Sequence, residues 1–181
     1  MTTPTVSIII PTYNRAAFIT RAILSATRQT WTDFELIVVN DASTDETASL
    51  LADLQTREPR LRVIHHQRGR HGPAAARNIG LAEARGTWVA FLDSDDEWET
   101  DKLACFMAAT ADDVVFVGSN YHIVEGGDKP VHTMWTFLET VMFPWWRNEP
   151  LAQPVIPTAA LQENPARLAE RDIMRAMTIG G

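Results

Sequence analysis

The sequence predicts an α/β fold, a mostly parallel sheet flanked by helices, followed by an irregular, aromatic-rich C-terminal segment. Two observations carry that expectation. Short apolar runs alternate with segments whose apolar residues recur at helical spacing over roughly the first two thirds of the chain. The runs are continuous, as in strands buried on both faces. A third observation concerns position. Polar and acidic clusters follow directly on three of the runs, and open parallel sheets bind ligands outside the carboxyl ends of their strands.

Val6–Ile10 is β-branched and meets Pro11, so a buried strand stopping there is expected. Pro11–Asn14 reads as a loop. Asn14 reads as the cap of a helix over 15–28, with Phe18, Ile19, Ala22, Ile23 and Ala26 on its apolar face. Phe34–Val39 is a second strand, ending in Asn40 and Asp41. Residues 42–45 form a loop and cap, and Glu46 favours a helix amino end. Ala48, Leu51 and Leu54 mark a helix closing near Glu58. Leu61–His65 is a third, more exposed strand. A basic, glycine-bearing loop over 67–73 leads to Pro73, which suits a first helical turn. The small side chains of 74–84 allow close approach to a sheet, and Gly86 is placed as the helix stop.

Trp88–Leu92 reads as a fourth strand buried on both faces, running straight into Asp93, Asp95, Asp96 and Glu97. A helix from Glu99 or Thr100 would present Leu103, Phe106 and Met107, and Val114–Val117 is a fifth strand. Right-handed βαβ units follow. Beyond Gly118 the rhythm fails. Glu125–Asp128 reads as a turn between antiparallel strands. Residues 133–146, with Trp135, Phe137, Phe143, Trp145 and Trp146, read as core or lid, the functional reading being an acceptor lip or membrane-surface contact. A terminal helix is expected over 167–177.

The bulk numbers narrow the function. A chain of 181 residues, 45% hydrophobic and 22% charged, suits one domain with a core. A net charge of −7 argues against a nucleic-acid partner held by a basic surface. The single cysteine, Cys105, provides neither a disulfide framework nor a cysteine zinc site, and its apolar neighbours predict a buried thiol. The amino terminus lacks a basic region followed by an apolar run, and no stretch reaches transmembrane length, so a cytoplasmic protein is expected. No Gly-x-Gly-x-x-Gly follows the first strand, which argues against a dinucleotide-dependent oxidoreductase.

The acids at 93–97 carry the chemistry. Crowded carboxylates repel, so a positive partner is expected, and an oxygen-preferring Mg²⁺ or Mn²⁺ carrying substrate phosphates fits best. The plainer alternative is a polar turn that caps the next helix. His65, His66 and His71 show no metal-ligand pattern and read as strand-end and loop residues. Arg68 and Arg70 either steer a diphosphate or are solvated loop charges.

Taken in order, the blocks Val6–Arg15, Glu35–Asp45, Ala75–Gly80 and Phe91–Asp96 resemble the amino-terminal, nucleotide-sugar-binding part of a family 2 glycosyltransferase, across roughly residues 5–120. The resemblance implies a GT-A fold, Rossmann-like, with a donor-binding part over 1–120 and a partial or divergent acceptor-side segment over 121–181. It implies that Pro11 and Tyr13 line a base pocket, that Asp41 accepts from a base N–H of uracil or thymine, and that Arg77 reaches the nucleotide. Asp93 would meet the ribose or the metal's water shell, and Asp95 would bind the cation. Asp96 would support that site, and Asn78 would tie loops together.

The activity implied is metal-dependent, inverting transfer from a nucleotide-diphosphate sugar, a UDP-sugar by the Asp41 argument, to a carbohydrate or lipid-linked acceptor. Cell-surface polysaccharide or glycoconjugate synthesis is the implied setting, in the cytoplasm or peripherally on the inner membrane face. The chain departs from the family in lacking a Glu-Asp pair after Asp113. Glu163 and Asp172 remain as base candidates without the family's context. The alternative reading is a non-catalytic or truncated nucleotide-sugar-binding module.

Overall fold

The computed structural model describes residues 3–66, 72–110, 114–117, 122–124, 130–133 and 155–157. The expectations for the 67–71 loop, the 125–128 turn, the 134–146 aromatic segment, the 167–177 helix and the base candidates Glu163 and Asp172 lie outside these residues. The chain divides into two compact units at residues 108 and 109.

The first unit carries β1 (Val6–Thr12), α1 (Ile19–Thr27), β2 (Phe34–Asp41), α2 (Thr47–Arg57), β3 (Leu61–His66), α3 (Pro73–Glu83), β4 (Trp88–Phe91) and α4 (Lys102–Ala108). The sheet order is β3-β2-β1-β4, and every pairing is parallel. The chain therefore steps outward twice, from β1 to β3, then reverses across β1 to place β4. Right-handed crossovers put connections of opposite direction on opposite faces. The packing agrees. Ile19, Ala22 and Ile23 of α1, Leu51 of α2 and Leu103 of α4 share one core cluster with Ile8, Ile10, Leu36 and Val38. Ala76 of α3 packs with Ile9, Ile37 and Val39 on the other face. Each such Ile or Leu contributes about 1.5–3 kcal/mol by leaving water.

Continuous apolarity marks the two central strands well. β1 is buried throughout and β2 nearly so. It misleads for β4, which is only half-buried along its four residues because it has one strand neighbour among the described residues. Pro11 does not stop β1, which continues to Thr12. β4 pairs only as far as Ile9 opposite Phe91, so the missing Pro11 N–H deprives no ladder there.

Other local expectations are also corrected. α1 starts at Ile19 instead of residue 15, because Asn14 takes φ 50° and residues 15–18 close a separate turn through Phe18 N–H to Arg15 O. α4 begins at Lys102 rather than at Glu99 or Thr100. Cys105 is exposed, since it lies two positions from the buried Leu103 and so on another side of α4. Gly86 is not the helix stop: α3 ends at Glu83, with Ala84 extended after it. A Cβ at Gly86 would sit 2.6 Å from Ser7 N and 2.7 Å from Val6 C, so glycine is needed where this turn presses on β1.

The second unit holds β5 (Val114–Val117) paired antiparallel with β8 (Val155–Pro157), and β6 (His122–Val124) paired antiparallel with β7 (Pro130–Thr133). The fifth strand thus has an antiparallel partner, and the strands flanking 125–128 pair as a hairpin should. Among the described residues no helix is long and apolar enough to cross a membrane.

Gly86→Ala is expected to destabilise the chain by about 1–3 kcal/mol through backbone overpacking, measured by urea unfolding. Gly80→Ala should also destabilise the chain, because its new Cβ would overlap Cγ2 of the fully buried Ile9.

Candidate donor site

Strand order decides where a site can form. Reversal across β1 leaves the carboxyl ends of β1, β2 and β4 side by side, and the amino end of α3 rises at the same edge. A cavity of about 420 Å³ opens there. Its walls come from Pro11–Arg15 at the end of β1 and just after it, Asp41 at the end of β2, Gly72, Pro73, Ala76 and Arg77 at the start of α3, and Asp93–Asp95 after β4. Pro11, Tyr13, Asp41, Arg77, Asp93 and Asp95, all read from sequence as nucleotide or metal residues, line this single cavity. The convergence of three strand ends is borne out.

The wall formed by β1 and β2 is stitched across its loops. Asn14 is not a helix cap. Its Oδ1 accepts from Thr44 N at 2.8 Å and from Asp45 N at 3.4 Å, while its own N–H donates to Ser43 Oγ. Arg15 N–H donates to Thr47 Oγ1 and Ala16 N–H to Asp45 Oδ2. Burial raises the Asp45 carboxyl, but its hydrogen bonds from Thr47 and Ala16 outweigh that and hold it below the usual carboxylate range. Beside it, Ala42 adopts φ 59°.

Asp41 is buried and already has partners. Gly72 N–H donates to its Oδ2 at 2.9 Å, and His66 Nδ1 lies 3.3 Å from its Oδ1. Gly72 reaches it with φ 87°, a conformation suited to glycine, immediately before Pro73 starts α3. Each carboxylate oxygen can accept more than one hydrogen bond, so a base N–H could still be received.

At the opposite wall, Leu92 N–H extends the β4 pairing onto Ile9 O, and Asp96 N–H closes the acidic turn onto Asp93 O. Asp93 pairs with Arg77, whose side chain is only 8% exposed. Arg77 is therefore no surface cation. Asp95 pairs with Arg15 Nε at 3.4 Å, both side chains being nearly half exposed. Burial pushes the Asp96 carboxyl up, and the charges of Asp93 and Asp95 push it further, against the opposing charge of Lys102. Lys102 is lowered to about 8 by its own burial, and its ammonium lies 5.0 Å from the Trp98 ring centre.

Two buried polar atoms on the cavity residues have no partner among the described residues, Thr12 Oγ1 and Arg77 Nε. Sequence reasoning did not single out Thr12, Gly72 or Ser94 as wall residues. Gly72 and Pro73 were a readable signal, since a glycine before a helix-opening proline exposes amide donors.

The acidic turn suits a cation that brings ligands of its own. Among the described residues no group of three or more His, Cys, Asp or Glu forms a complete cage. Asp93 and Asp95 offer hard oxygen donors on the cavity wall. Magnesium-like ions are often held by one or two carboxylates together with substrate phosphates.

The parallel sheet flanked by helices, with a cavity at its carboxyl edge, is an α/β fold like that of the GT-A glycosyltransferases. The chain belongs to glycosyl transferase family 2, whose profile matches residues 7–160. It is 46% identical over 93 residues to the uncharacterized glycosyltransferase EpsJ of Bacillus subtilis, covering 51% of this chain and 26% of that one. It is 35% identical over 125 residues to the Campylobacter jejuni GalNAc(5)-diNAcBac-PP-undecaprenol beta-1,3-glucosyltransferase, covering 69% of this chain and 40% of that one. Among solved structures, S. aureus TarS 1-349 in complex with UDP-GlcNAc matches with TM-score 0.59 and 32% identity, over 70% of this chain and 37% of that one. The mannosyltransferase PcManGT of Pyrobaculum calidifontis, in complex with GDP-Man and Mn²⁺, matches with TM-score 0.57 and 32% identity, over 69% and 36%. In each case the chain spans less than half the length of the relative.

Ala42→Gly should stabilise the chain by about 0.5–1 kcal/mol by relieving the left-handed backbone, read by thermal or urea unfolding. Asn14→Ala should destabilise it by about 1–3 kcal/mol, since it strains the same kind of backbone and removes the acceptor for Thr44 and Asp45.

Proposed function

We propose that this cavity binds a uridine-diphosphate sugar with a divalent cation, and that the chain transfers the sugar to an acceptor hydroxyl with inversion. The observation that carries this reading is the meeting of Pro11, Tyr13, Asp41, Arg77, Asp93 and Asp95 around one cavity. The TarS complexes with UDP and UDP-GlcNAc support the choice of nucleotide, and PcManGT with Mn²⁺ supports the cation. The sugar acceptor is a carbohydrate or a lipid-linked glycan, in line with the C. jejuni relative's undecaprenol-linked substrate. Cell-surface polysaccharide synthesis on the cytoplasmic side, with peripheral membrane contact, is the setting proposed, and succinoglycan and teichuronic acid relatives support the pathway class.

In this reading the Tyr13 ring and Pro11 receive the base, and Asp41, held in place by Gly72 N–H, accepts its N–H. Arg77 fixes Asp93 on the cavity wall, where that carboxylate would meet the ribose. Asp95 and Asp93 would hold the cation, which as a Lewis acid offsets charge on the departing nucleotide diphosphate. The wall stitched by Asn14 is ordered before the donor arrives, which lowers the cost of binding. Glu163 and Asp172 stay as base candidates, the base being required to take the acceptor proton.

One observation favours a second reading, a module that binds the donor without turnover. Every carboxylate lining the cavity already has a partner of its own: Asp41 with Gly72 and His66, Asp93 with Arg77, Asp95 with Arg15.

Calorimetry with UDP and Mn²⁺ tests the first reading. The native chain should bind, and Asp95→Ala should lose at least about tenfold in Mn²⁺-dependent affinity, the loss seen even for outer-shell metal partners. No binding by the native chain, or equal binding by the variant, sinks it. Release of UDP from UDP-sugars across an acceptor panel separates transfer from binding alone.

A further inference from the structure

The guanidinium of Arg15 and the carboxylate of Asp95 reach each other across the cavity mouth. Arg15 stands on the loop after β1, and Asp95 on the turn after β4. Both line the cavity, and their contact is Nε to Oδ2 at 3.4 Å. Arg15 is anchored at its root, because its N–H is held by Thr47 Oγ1 and the neighbouring Ala16 N–H by Asp45. Its side chain is otherwise open, 42% exposed, with Asp95 at 48%. An ion pair this exposed is worth about 0.2–1 kcal/mol, so it can be exchanged at little cost. The neighbouring pair differs. Arg77 and Asp93 are held together with the arginine almost fully buried, so that cation stays with its carboxylate.

We propose that Arg15 is a built-in counter-ion of Asp95 that exchanges places on loading. In the empty cavity Arg15 offsets Asp95. When a divalent cation takes Asp95, the guanidinium is released at the mouth and turns to the donor's diphosphate. Charge stays balanced in both states. Without Arg15, Asp95 would stand without a counter-ion beside Asp93 and Asp96. With Arg15 and the cation both bound to Asp95, the mouth would carry excess positive charge facing the diphosphate, which draws the guanidinium to the phosphate oxygens. Guanidinium matches phosphate through paired, charge-assisted hydrogen bonds. Glu97 does not compete for Arg15, since it is paired with Arg21.

This inference rests on the donor-site reading and has its own signature: removing Arg15 should move two affinities in opposite directions. Mn²⁺ alone should bind Arg15→Ala about two- to fivefold more tightly than the native chain, because its competitor for Asp95 is gone. UDP in the presence of a chelator should bind Arg15→Ala at least about threefold more weakly, because a phosphate partner is gone. Arg15→Lys keeps the charge and should stay near the native chain in Mn²⁺ affinity. Manganese binding can be followed by the loss of its free electron-spin-resonance signal, and UDP binding by calorimetry. An Arg15→Ala chain that binds Mn²⁺ equally or more weakly, or that binds UDP without metal as well as the native chain, overturns the exchange. Failure of the native chain to bind UDP and Mn²⁺ at all overturns the donor-site reading instead. Unfolding curves of both variants, expected to overlay the native curve for so exposed a side chain, show that each fold is intact.

Discussion

β1 is buried along its whole length, and the placement of the polar groups around the cavity follows from that. A strand with sheet neighbours on both sides and helices on both faces can carry polarity only at its ends. Ser7, near one end, is used to hold the turn at Gly86 through its Oγ. Thr12 and the loop after it stand at the other end, facing the cavity. Because the chain reverses across β1, the ends of β2 and β4 flank that loop, and α3 approaches from the opposite face. The site lies where apolarity stops and topology turns.

The charges at that edge fall into two kinds. Arg77 is nearly buried while Asp93 is partly exposed, so separating them would leave a desolvated guanidinium without its counter-ion. Held by that buried cation, the pair behaves as framework. Arg15 and Asp95 are exposed and weakly bound, so their arrangement responds to whatever enters. Asp96 lies between these regimes. Its carboxyl is raised by burial and by Asp93 and Asp95, and Lys102 only partly opposes that. Burial is the larger cause, and the neighbouring carboxylates add to it.

How much of this is legible in the sequence depends on range. β2, the helix α3 after Pro73, and the acids at the end of β4 are visible because each rests on a local pattern. The six residues expected to bind nucleotide or metal meet in one cavity because the alternation of strands and helices fixes which ends share an edge. Contacts between Arg15 and Asp95, or between Asp41 and Gly72, are not visible, since they depend on strand order. Local rules also fail where tertiary demands override them. Asn14 looks like a cap before a helical run, yet its side chain serves a loop some thirty residues on. Gly86 looks like a helix stop, yet it is glycine because β1 lies against it. Continuous apolarity suggested full burial for β4, which as a flanking strand is half-buried.

Asn14 and Ala42 show how the wall is made rigid. Thr12 lies opposite Asn40 in the sheet register, so the two residues stand at matching levels, each just beyond the end of its strand. Both take left-handed backbone, with φ 50° and 59°. Asn tolerates this; Ala does not, and strain of about 1 kcal/mol or more follows. The strain persists because the surrounding hydrogen bonds leave no alternative. Ala42 N–H closes onto Asn40 O, Ser43 N–H onto Asn40 Oδ1, and Asn14 binds 43–45 from across the sheet. Two sharp turns locked to each other hold Tyr13 and Asp41 at fixed separation. A ligand entering between them meets a wall whose ordering entropy was lost on folding, and that saving is the physical return on keeping a strained alanine at the edge of the cavity.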